Sequence, residues 1–456
     1  MIYSLSKPAN SRLGYHYFPD TFHYQISDLK YWLPVLSQLG ASWLTVQSPV
    51  ERAIPEFFLT ELSQVGIKPV VHMIDSTIPC VDTKSMELLI RTYAKWGVKY
   101  IALFDRPNVR SCWGAASWAQ NELVETFLDR FLILAELMAA EGVVPLFSPL
   151  EPGGDYWDLA FLQAALQGIQ RRGSQFLIDR IGLSAYAWTG NRSLEWGAGG
   201  PERWPATRPY SVDPMNQDHC GFRIFDWYLS LAEKELGRRT PIILLRAGTL
   251  PNDYVDKSTL QPDLSIHSRM NLLIAQLMEA RIGEGMNLEP VSSEVLACNF
   301  WLLASDPTDT RSNLQAWFQT EGKELPVVHA FQQWITEVGS ETLCKDSASR
   351  DHIQKELSQK EITHNGINGN GDHPIDHYVL LPLFAWGAAS WELTDLQPVL
   401  SNSHPTVGFS ITEAQLAARV TVVGGEGAIS ESALSLLRSS GCQVERICED
   451  GTLVAT

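Results

Sequence analysis

The feature that most constrains this chain is a regular alternation of short apolar runs with amphipathic segments between about Leu13 and Val338. The apolar runs are hydrophobic along their whole length, which is typical of strands in a parallel sheet that is covered on both faces. Parallel strands need crossover connections, usually helices, and the amphipathic segments supply them. The predicted strands are Leu13–Tyr17, Trp43–Gln47, Lys68–Met73, Tyr100–Phe104, Val143–Phe147, Ile181–Ala185, Pro241–Arg246 and Val295–Leu303. The predicted helices are Leu29–Leu39, Glu56–Val65, Ser85–Trp96, Ala119–Glu141, Trp157–Arg171, Phe222–Leu236 and Ser268–Arg281.

This pattern predicts a closed (β/α)8 TIM barrel, which we assign to residues 1–340. An open doubly wound sheet is the alternative architecture. It would require a phosphate-binding GxGxxG turn after the first strand, and the sequence there is YHYFP, from Tyr15 to Pro19. The barrel is therefore the predicted fold class.

The sequence changes character after the predicted barrel. Residues 341–376 are polar and then rich in asparagine and glycine, which predicts a linker. Residues 377–456 alternate again between strand-like and helix-like stretches, which predicts a small Rossmann-like α/β domain. Its predicted strands are Tyr378–Leu383, Thr406–Phe409, Arg419–Val423 and Val444–Ile447, and its predicted helices are Leu393–Leu400, Thr412–Ala418 and Ser430–Ser439.

Composition limits the possible partners. The 456 residues are 45% hydrophobic and 19% charged, as in a soluble globular protein, and the net charge of −17 disfavours binding to nucleic acid. No apolar run reaches the roughly 18 residues of a membrane span, so we expect no membrane partner. The N-terminus lacks the apolar core of a signal peptide, and the seven cysteines include no CxxC pair. We therefore expect a cytoplasmic protein, with export by an unusual route left open.

The segment Tyr186–Tyr210, which follows the sixth predicted strand, combines three tryptophans with several glycines and prolines. Loops longer than about 12–15 residues in a compact domain are usually functional or disordered, and disordered segments are poor in aromatic residues. We therefore predict an ordered aromatic loop, which either covers a ligand or packs onto the barrel. Its candidate ligand-binding residues are Tyr186, Trp188, Asn191, Trp196 and Trp204.

Ligands of (β/α)8 barrels bind where the strands end, so polar residues at the strand ends are the next candidates. A metal-dependent barrel hydrolase commonly presents His-x-His after its first strand, and here a single histidine stands there. The sequence contains no HExxH, GxSxG or Walker motif, so we expect no metal ion and no cofactor. The strand-end candidates are His16, His72, Asp75, Asp105, Arg106, Asn108, Glu151, Arg246 and Trp301.

The fourth predicted strand ends in FDRPN, from Phe104, and the seventh ends in LRAG, from Leu245. This layout resembles the clan A superfamily of (β/α)8 retaining glycoside hydrolases. In that family the fourth strand ends in Asn-Glu-Pro-Asn and the seventh in a Thr-Glu-x-Gly-like motif. Pro107, Asn108 and Gly248 fall in register with those motifs, and the resemblance covers residues of about 10–340. It implies a carbohydrate, an oligosaccharide or polysaccharide, as the ligand.

Both positions of the family's catalytic glutamates hold arginine here, at Arg106 and Arg246. Retaining hydrolysis needs two carboxyl groups about 5–5.5 Å apart, one of them with a raised pKa, and a guanidinium group can take neither role. Arginines at the mouth would instead favour ligands with carboxylate or phosphate groups. The carboxylates left as candidates for a relocated catalytic pair are Asp105, Glu151 and Glu195.

In the small domain, the sequence VVGGEGAIS from Val422 follows a predicted strand and begins a predicted helix. Such a turn presents backbone N–H groups to an anion, although a tight strand–helix turn explains the glycines equally well. The run resembles the second type of bacterial cell-wall-binding repeat, which implies attachment to anionic wall polymers. An anionic polymer or a protein is therefore the expected partner of this domain.

Three hypotheses about function follow. The first is a glycosidase-like protein that binds a glycan, possibly an acidic one, at the barrel mouth without the standard catalytic pair. The second is an active O-glycosyl hydrolase with relocated carboxylates. The third is a non-catalytic structural or assembly protein whose two domains are interaction modules. Two carboxylates about 5–10 Å apart over an open cleft would favour hydrolysis.

Overall fold

The chain forms a closed eight-stranded parallel barrel in which β1 pairs with both β2 and β8. The computed structural model describes residues 11–74, 78, 83–119, 122–213, 215–255, 261–283, 286–346, 373, 375–384, 387–388, 405–425, 429–447 and 453–454. The barrel strands are β1 (Leu13–His16), β2 (Trp43–Pro49), β3 (Lys68–Ile74), β4 (Tyr100–Leu103), β5 (Val144–Phe147), β6 (Gly182–Trp188), β7 (Ile242–Gly248) and β8 (Val295–Phe300). The predicted (β/α)8 fold class is confirmed.

Helices surround the barrel and bury one apolar face against it. Helix α5 is typical, because Phe127, Phe131, Ala135 and Met138 recur at the spacing that brings side chains onto one face, and all four are buried. The helices of this domain are α1 (Ile26–Gln38), α2 (Glu56–Gln64), α3 (Thr83–Lys95), α4 (Ala115–Trp118), α5 (Leu123–Ala140), α6 (Asp158–Arg172), α7 (Gln175–Ile178), α8 (Gly200–Arg203), α9 (Ile224–Leu236), α10 (Leu264–Met278), α11 (Thr310–Asn313) and α12 (Pro326–Asp346). Within the described residues, short 3₁₀ helices lie at Arg110–Cys112, Pro251–Asp253 and Thr320–Gly322.

Strand β6 and the loop after it differ from the sequence prediction. Strand β6 continues to Trp188, so the first three residues of the predicted aromatic loop belong to the sheet and pair with β7. The rest of that loop contains the one-turn helix α8. The residue before it, Gly199, has a left-handed backbone conformation with a φ of 79°. The glycines and prolines that predicted an irregular loop therefore also permit a helical turn, because proline is tolerated in the first turn of a helix.

The interior of the barrel is filled by side chains, and the strands approach closely there. A cluster of buried side chains, including Trp43, Val70 and Leu146, occupies the barrel separately from the larger cluster between strands and helices. Gly14 lies where β1 meets β8, and a Cβ atom at this position would lie 2.3 Å from Asn299 Oδ1. Glycine is therefore required for the closure of the barrel at this pair of strands.

The chain continues into a second α/β unit with a separate sheet. The strands are ordered β12-β9-β13-β14-β15, and all neighbours are parallel except the pair of β14 and β15. Strands β10 and β11 form a separate antiparallel pair. The elements are β9 (Ile375–Leu380), β10 (Leu383–Phe384), β11 (Gly387–Ala388), β12 (Thr406–Gly408), α13 (Ile411–Ala414), β13 (Ala417–Val423), α14 (Glu431–Ser439), β14 (Gln443–Ile447) and β15 (Leu453–Val454).

The helix predicted at Thr412–Ala418 is shorter, because the chain already enters β13 at Ala417. The helix predicted at Leu393–Leu400 lies outside the described residues. Helix α12 extends to Asp346 and β9 begins at Ile375, while the division of the chain into 1–340, 341–376 and 377–456 remains a prediction. Within the described ranges, no helix has the length and apolar character that crossing a bilayer requires.

Candidate functional site

Asp105 lies directly after β4 and is held by two donors. Tyr186 in β6 donates a hydrogen bond of 2.5 Å to Asp105 Oδ1, and Arg106 Nε lies 3.1 Å from Oδ2. Burial raises the pKa of Asp105, but the positive charge of Arg246 and the groups around it outweigh burial, so the pKa lies below its ordinary value. At neutral pH this carboxyl group is therefore ionised and cannot donate a proton.

The backbone around Asp105 is unusual. Phe104 and Arg106 both have positive φ angles, 60° and 45°, in a region that side chains with a Cβ atom rarely adopt. The Arg106 amide donates to Pro149 O at 3.0 Å, which ties this turn to the segment after β5. Strain of this kind is typical of functional sites, where the surrounding structure imposes it.

Arg246 near the end of β7 is placed between two aromatic rings. Its guanidinium carbon lies 4.8 Å from the ring centre of Tyr186 and 4.5 Å from that of Trp301, which are cation–π distances. In the amide orientation of Gln47 that satisfies both its oxygen and its nitrogen, the oxygen accepts a hydrogen bond from Arg246 Nη2 at 2.9 Å. The Nε atom of Arg246 is buried and has no hydrogen-bond partner among the described residues.

His16 and His72 lie beneath these groups and are fully buried. Burial, supported by the charge of Arg246, lowers the pKa of His16 well below its ordinary value. Burial likewise lowers the pKa of His72 to about 4, although Asp105 acts in the opposite direction. His72 Nε2 lies 2.8 Å from Phe104 O, and the His16 ring packs at 4.6 Å against Trp301. Both imidazoles are therefore neutral parts of the floor of the mouth at physiological pH.

Asn108 has a structural role at the mouth. Its side-chain nitrogen donates to Glu151 O at 2.8 Å and to Tyr156 O at 3.0 Å, and its oxygen accepts from Glu151 N at 2.8 Å. These bonds fix the loop after β5. The Glu151 carboxylate remains 39% exposed and lies 3.4 Å from Arg106 Nη1, so Arg106 is positioned between Asp105 and Glu151.

A cleft of about 240 Å³ opens beside these residues. Trp188 forms part of its wall and packs edge-on against Trp301, with ring centres 6.2 Å apart. The wall therefore combines aromatic surface with charged and backbone groups, which is the composition of small-molecule sites. Its lining residues are Glu151, Pro152, Tyr186, Trp188, Gly190, Arg192, Cys220 and Gly221.

The structure does not bring the other loop candidates into this cleft. Glu195 instead pairs at 2.8 Å with Arg223, whose side chain is almost fully buried. Trp196 donates to Asp218 at 2.6 Å, and Trp204 donates to Ala198 O at 3.0 Å, so both indole groups make their hydrogen bonds within the segment between β6 and α9.

The two remaining candidates are Asn191 and Asp75. Asn191 is exposed, with a φ of 61°, in the turn after β6. Asp75 lies outside the described residues.

Three residues near the mouth were not among the sequence candidates: Gln47, Cys220 and His219. Gln47 lies inside β2, and the sequence showed it only as a polar residue at the end of the predicted second strand. Cys220 lines the cleft from a segment about 30 positions after β6 in the chain, and no sequence motif marks it. His219 is buried beside it and lies 2.7 Å from Asp158 Oδ1. In the described part of the chain, no group of three or more His, Cys, Asp and Glu side chains has an arrangement that could hold a metal ion.

No family model and no curated protein matches the chain. Among solved structures, it is similar to a family 39 glycoside hydrolase from Bacteroides cellulosilyticus WH2, with 11% identity, a TM-score of 0.46, and 74% of this chain and 66% of that chain covered. It is also similar to a monomeric beta-xylosidase from Caulobacter crescentus CB15, with 10% identity, a TM-score of 0.44 and coverages of 71% and 68%. An L-ribulose 3-epimerase matches with 13% identity, a TM-score of 0.37 and coverages of 75% and 100%. These likenesses concern the barrel fold alone, so the function has to be inferred from the side chains at the mouth.

Proposed function

We propose that the barrel binds a carbohydrate in the cleft at its mouth, prefers glycans that carry acidic groups, and lacks the paired carboxylates of retaining glycosidases. The half-exposed aromatic face of Trp188 suits the apolar face of a sugar ring, and Glu151 and Arg192 suit its hydroxyl groups. Sugars present these two kinds of surface together, which is why a cleft of this composition favours them over a purely apolar ligand.

The observation that carries the proposal is the environment of Arg246. Retaining glycosidases, which the sequence resembles, have a carboxylate nucleophile at this position. Here the position holds a guanidinium group that is enclosed by Tyr186 and Trp301. The equivalent of the acid/base is Arg106, which cannot donate a proton to a leaving group at neutral pH. Asp105, the carboxylate beside both arginines, has a pKa below its ordinary value and is engaged by Tyr186. None of these three groups suits general acid catalysis.

The preference for acidic glycans rests on the cations around the cleft. Arg192 lines it, and Arg106, which is 37% exposed, lies beside the Glu151 carboxylate that also lines it. Arginine forms paired hydrogen bonds with carboxylates, and such bonds are stronger than those to neutral hydroxyl groups. A uronic acid or another sugar with a carboxylate would therefore bind to this mouth more tightly than a neutral sugar.

A second function, hydrolysis by relocated carboxylates, is favoured by Glu151. This side chain is 39% exposed, lines the cleft, and is separated from Asp105 by Arg106. An ionised Asp105 and an exposed Glu151 are the two carboxylates that such a mechanism would require. Glu195 does not belong to this pair, because it is bound to Arg223.

The experiment is a binding panel of neutral and acidic oligosaccharides together with a general glycosidase assay. We expect binding of acidic members without turnover, and weaker binding after Arg106→Ala or Arg246→Ala. A matched control is Arg239→Ala, since Arg239 is 73% exposed and precedes β7 at the opposite end of the barrel. Turnover that is lost in Glu151→Gln would instead establish the hydrolase. Failure to bind or cleave any glycan would reject both functions.

A further inference from the structure

The small domain contacts the barrel through β12, the outermost strand of its sheet. One edge of β12 pairs with β9, and the other edge pairs with the barrel's own loop between β2 and α2. Ala53 N donates to Val407 O at 2.6 Å, and Phe409 N donates to Glu51 O at 2.9 Å. The two segments pair as an antiparallel bridge between Arg52 and Gly408.

The side chains of the small sheet are divided between two apolar clusters. Tyr378, Leu380, Val420 and Val422 pack with the domain's own helices. The residues that alternate with them, together with Val407, belong to the same cluster as Val50, Ala53 and Ile54 of the barrel. Successive side chains of a strand point to opposite faces, so one face of the sheet is the domain's own core and the other packs on the barrel. These alternating residues are Val379, Leu381 and Val423.

Gly408 allows the two backbones to come this close. A Cβ atom at this position would lie 2.3 Å from Glu51 O and 2.8 Å from Arg52 Cβ, both across the contact between the domains. It would also lie 2.2 Å from the hydroxyl of Tyr378 within the small domain. The close approach is therefore specific to glycine at this point of β12.

Arg52 connects the small domain to a second loop of the mouth. Its side chain is buried, and its guanidinium group donates to the backbone oxygen and the hydroxyl of Thr21. It also lies 4.5 Å from the ring centre of Phe22 in the same loop. On its other side, Arg52 Nε lies 4.0 Å from Glu413 Oε2 of α13. The small domain thus supplies a carboxylate that balances the charge of this buried arginine, while the β1–α1 loop supplies its hydrogen-bond acceptors.

The same β1–α1 loop reaches the centre of the site through Gln47. The Gln47 amide nitrogen, in the orientation that its partners favour, donates to Pro19 O at 2.8 Å, and its oxygen accepts from Arg246 Nη2 at 2.9 Å. Polar contacts therefore continue from the small domain through Arg52 and the loop at 19–22 to Gln47 and Arg246. Physical contact of this kind is what coupling between two sites requires.

We propose that the small domain is an intramolecular clamp on the barrel mouth, which fixes the β2–α2 loop by backbone pairing and the β1–α1 loop through Arg52. Its partner is the barrel of the same chain, and Arg52 is a positioning residue that keeps the loop next to Gln47 and Arg246 in place. The inference does not depend on the identity of the ligand.

The first test is hydrogen exchange on the full chain, with variants that weaken the contact. Val407→Asp places a charge in the apolar contact between the domains, and Leu436→Asp on the exposed face of α14 is the matched control. In Val407→Asp we expect exchange in residues 17–25 and 47–55 to become about tenfold faster, which corresponds to about 1.4 kcal/mol of local stability. Residues 149–157 after β5 and the control protein should keep their exchange rates.

Val407→Asp removes the clamp whether the small domain undocks or unfolds locally. Unchanged hydrogen exchange of residues 17–25 in this variant would therefore overturn the proposal in either case. Equal acceleration throughout the barrel also overturns it, because the effect would then be general destabilisation. Arg52→Ala should accelerate exchange at 17–25, and Arg52→Lys should restore part of the protection, since the cation is retained and its paired donors are lost. Identical behaviour of the two variants would reject Arg52 as the positioning residue.

A second test asks whether the contact holds without the covalent connection. A site-specific protease sequence inserted after Gly366, in the predicted linker, would allow the full-length protein to be cleaved after folding. We expect the two fragments of the otherwise unchanged protein to elute together from a sizing column, and those of Val407→Asp to separate. Separation of the fragments without the Val407 substitution would overturn the clamp.

Discussion

The hydroxyl of Tyr186 donates a hydrogen bond of 2.5 Å to Asp105 Oδ1, although the two residues are 81 positions apart in the chain. The bond joins β6 to the turn after β4 at the level where the barrel opens. Arg246 lies over the Tyr186 ring and also lowers the pKa of Asp105. These three side chains therefore form one charged framework at the mouth, in which the carboxylate balances the arginine.

Removing the hydroxyl in Tyr186→Phe should destabilise the protein and raise the pKa of Asp105. A hydrogen bond to a charged group contributes about 1.5–3 kcal/mol, and we expect a loss of that size near neutral pH. Because the folded-state pKa of Asp105 is depressed, its contribution is present above the unfolded pKa of about 3.9 and is lost as the pH falls through the folded value. Denaturant unfolding between pH 7 and pH 3.5 should show the difference between the two proteins shrinking below about pH 4. A difference that is independent of pH would contradict this assignment.

The buried pair of Asp158 and His219 should make stability fall at alkaline pH. Burial opposes the charged imidazolium, but the charge of Asp158 and its hydrogen bond prevail and raise the pKa of His219 to about 10. The stabilisation is complete below the unfolded pKa of about 6.5 and is lost as the pH rises through the folded value.

For this pair the test variant is His219→Gln. It should lower the free energy of unfolding by about 3–5 kcal/mol at pH 6, because it leaves a buried carboxylate without its charged partner. It should also flatten the decline of stability between pH 6.5 and pH 10. Thermal unfolding at a series of pH values checks both effects. The control is His72→Gln, because the pKa of His72 is lowered and it does not titrate in this range. An alkaline decline that persists in His219→Gln would exclude the pair as its cause.

Glu195→Gln should affect stability and leave the chemistry of the mouth unchanged. Glu195 accepts from the Arg223 guanidinium at 2.8 Å and from Glu289 N at 3.2 Å, so its role is to balance a buried arginine. We expect a loss of about 1.5–3 kcal/mol, the usual contribution of a hydrogen bond to a charged group. The comparison is Glu289→Gln, which breaks the exposed pair with Arg203 and should change stability little. Loss of glycan binding or turnover in Glu195→Gln, without loss of stability, would restore Glu195 as a catalytic candidate.

Gly14→Ala should weaken the closure of the barrel between β1 and β8. The added methyl group would lie 2.3 Å from Asn299 Oδ1 and 2.7 Å from Trp43 Cβ, and Asn299 is itself bound to Leu244 O at 2.9 Å. Overpacking of this kind usually costs about 1–3 kcal/mol. Gly283→Ala is the control, since a Cβ atom there would meet no heavy atom of the described residues within 4 Å. Unfolding curves of the two variants should differ, and equal midpoints would show that the barrel relaxes around residue 14.

The sequence by itself determined the barrel and the α/β character of the second unit. Both follow from local periodicity, because uniformly apolar runs can be buried only inside a sheet with covered faces, and amphipathic segments can cover it. The same reasoning located His16, His72, Asp105, Arg106 and Arg246 near strand ends. It ended β6 too early at Ala185, since Trp188 is half-exposed and looks like a loop residue in sequence.

Only the tertiary structure decided which of these groups meet. Sequence spacing gives no reason why Tyr186 should bind Asp105, why Gln47 should lie between Pro19 and Arg246, or why Trp196 should contact Asp218 rather than the cleft. The pairing of Gly408 with Arg52 joins residues more than 350 positions apart in the chain. The residues of an element that become buried follow from the periodicity of that element alone. The residues that form a site depend on the register and side-chain directions of several elements, and these are fixed only when the elements pack together.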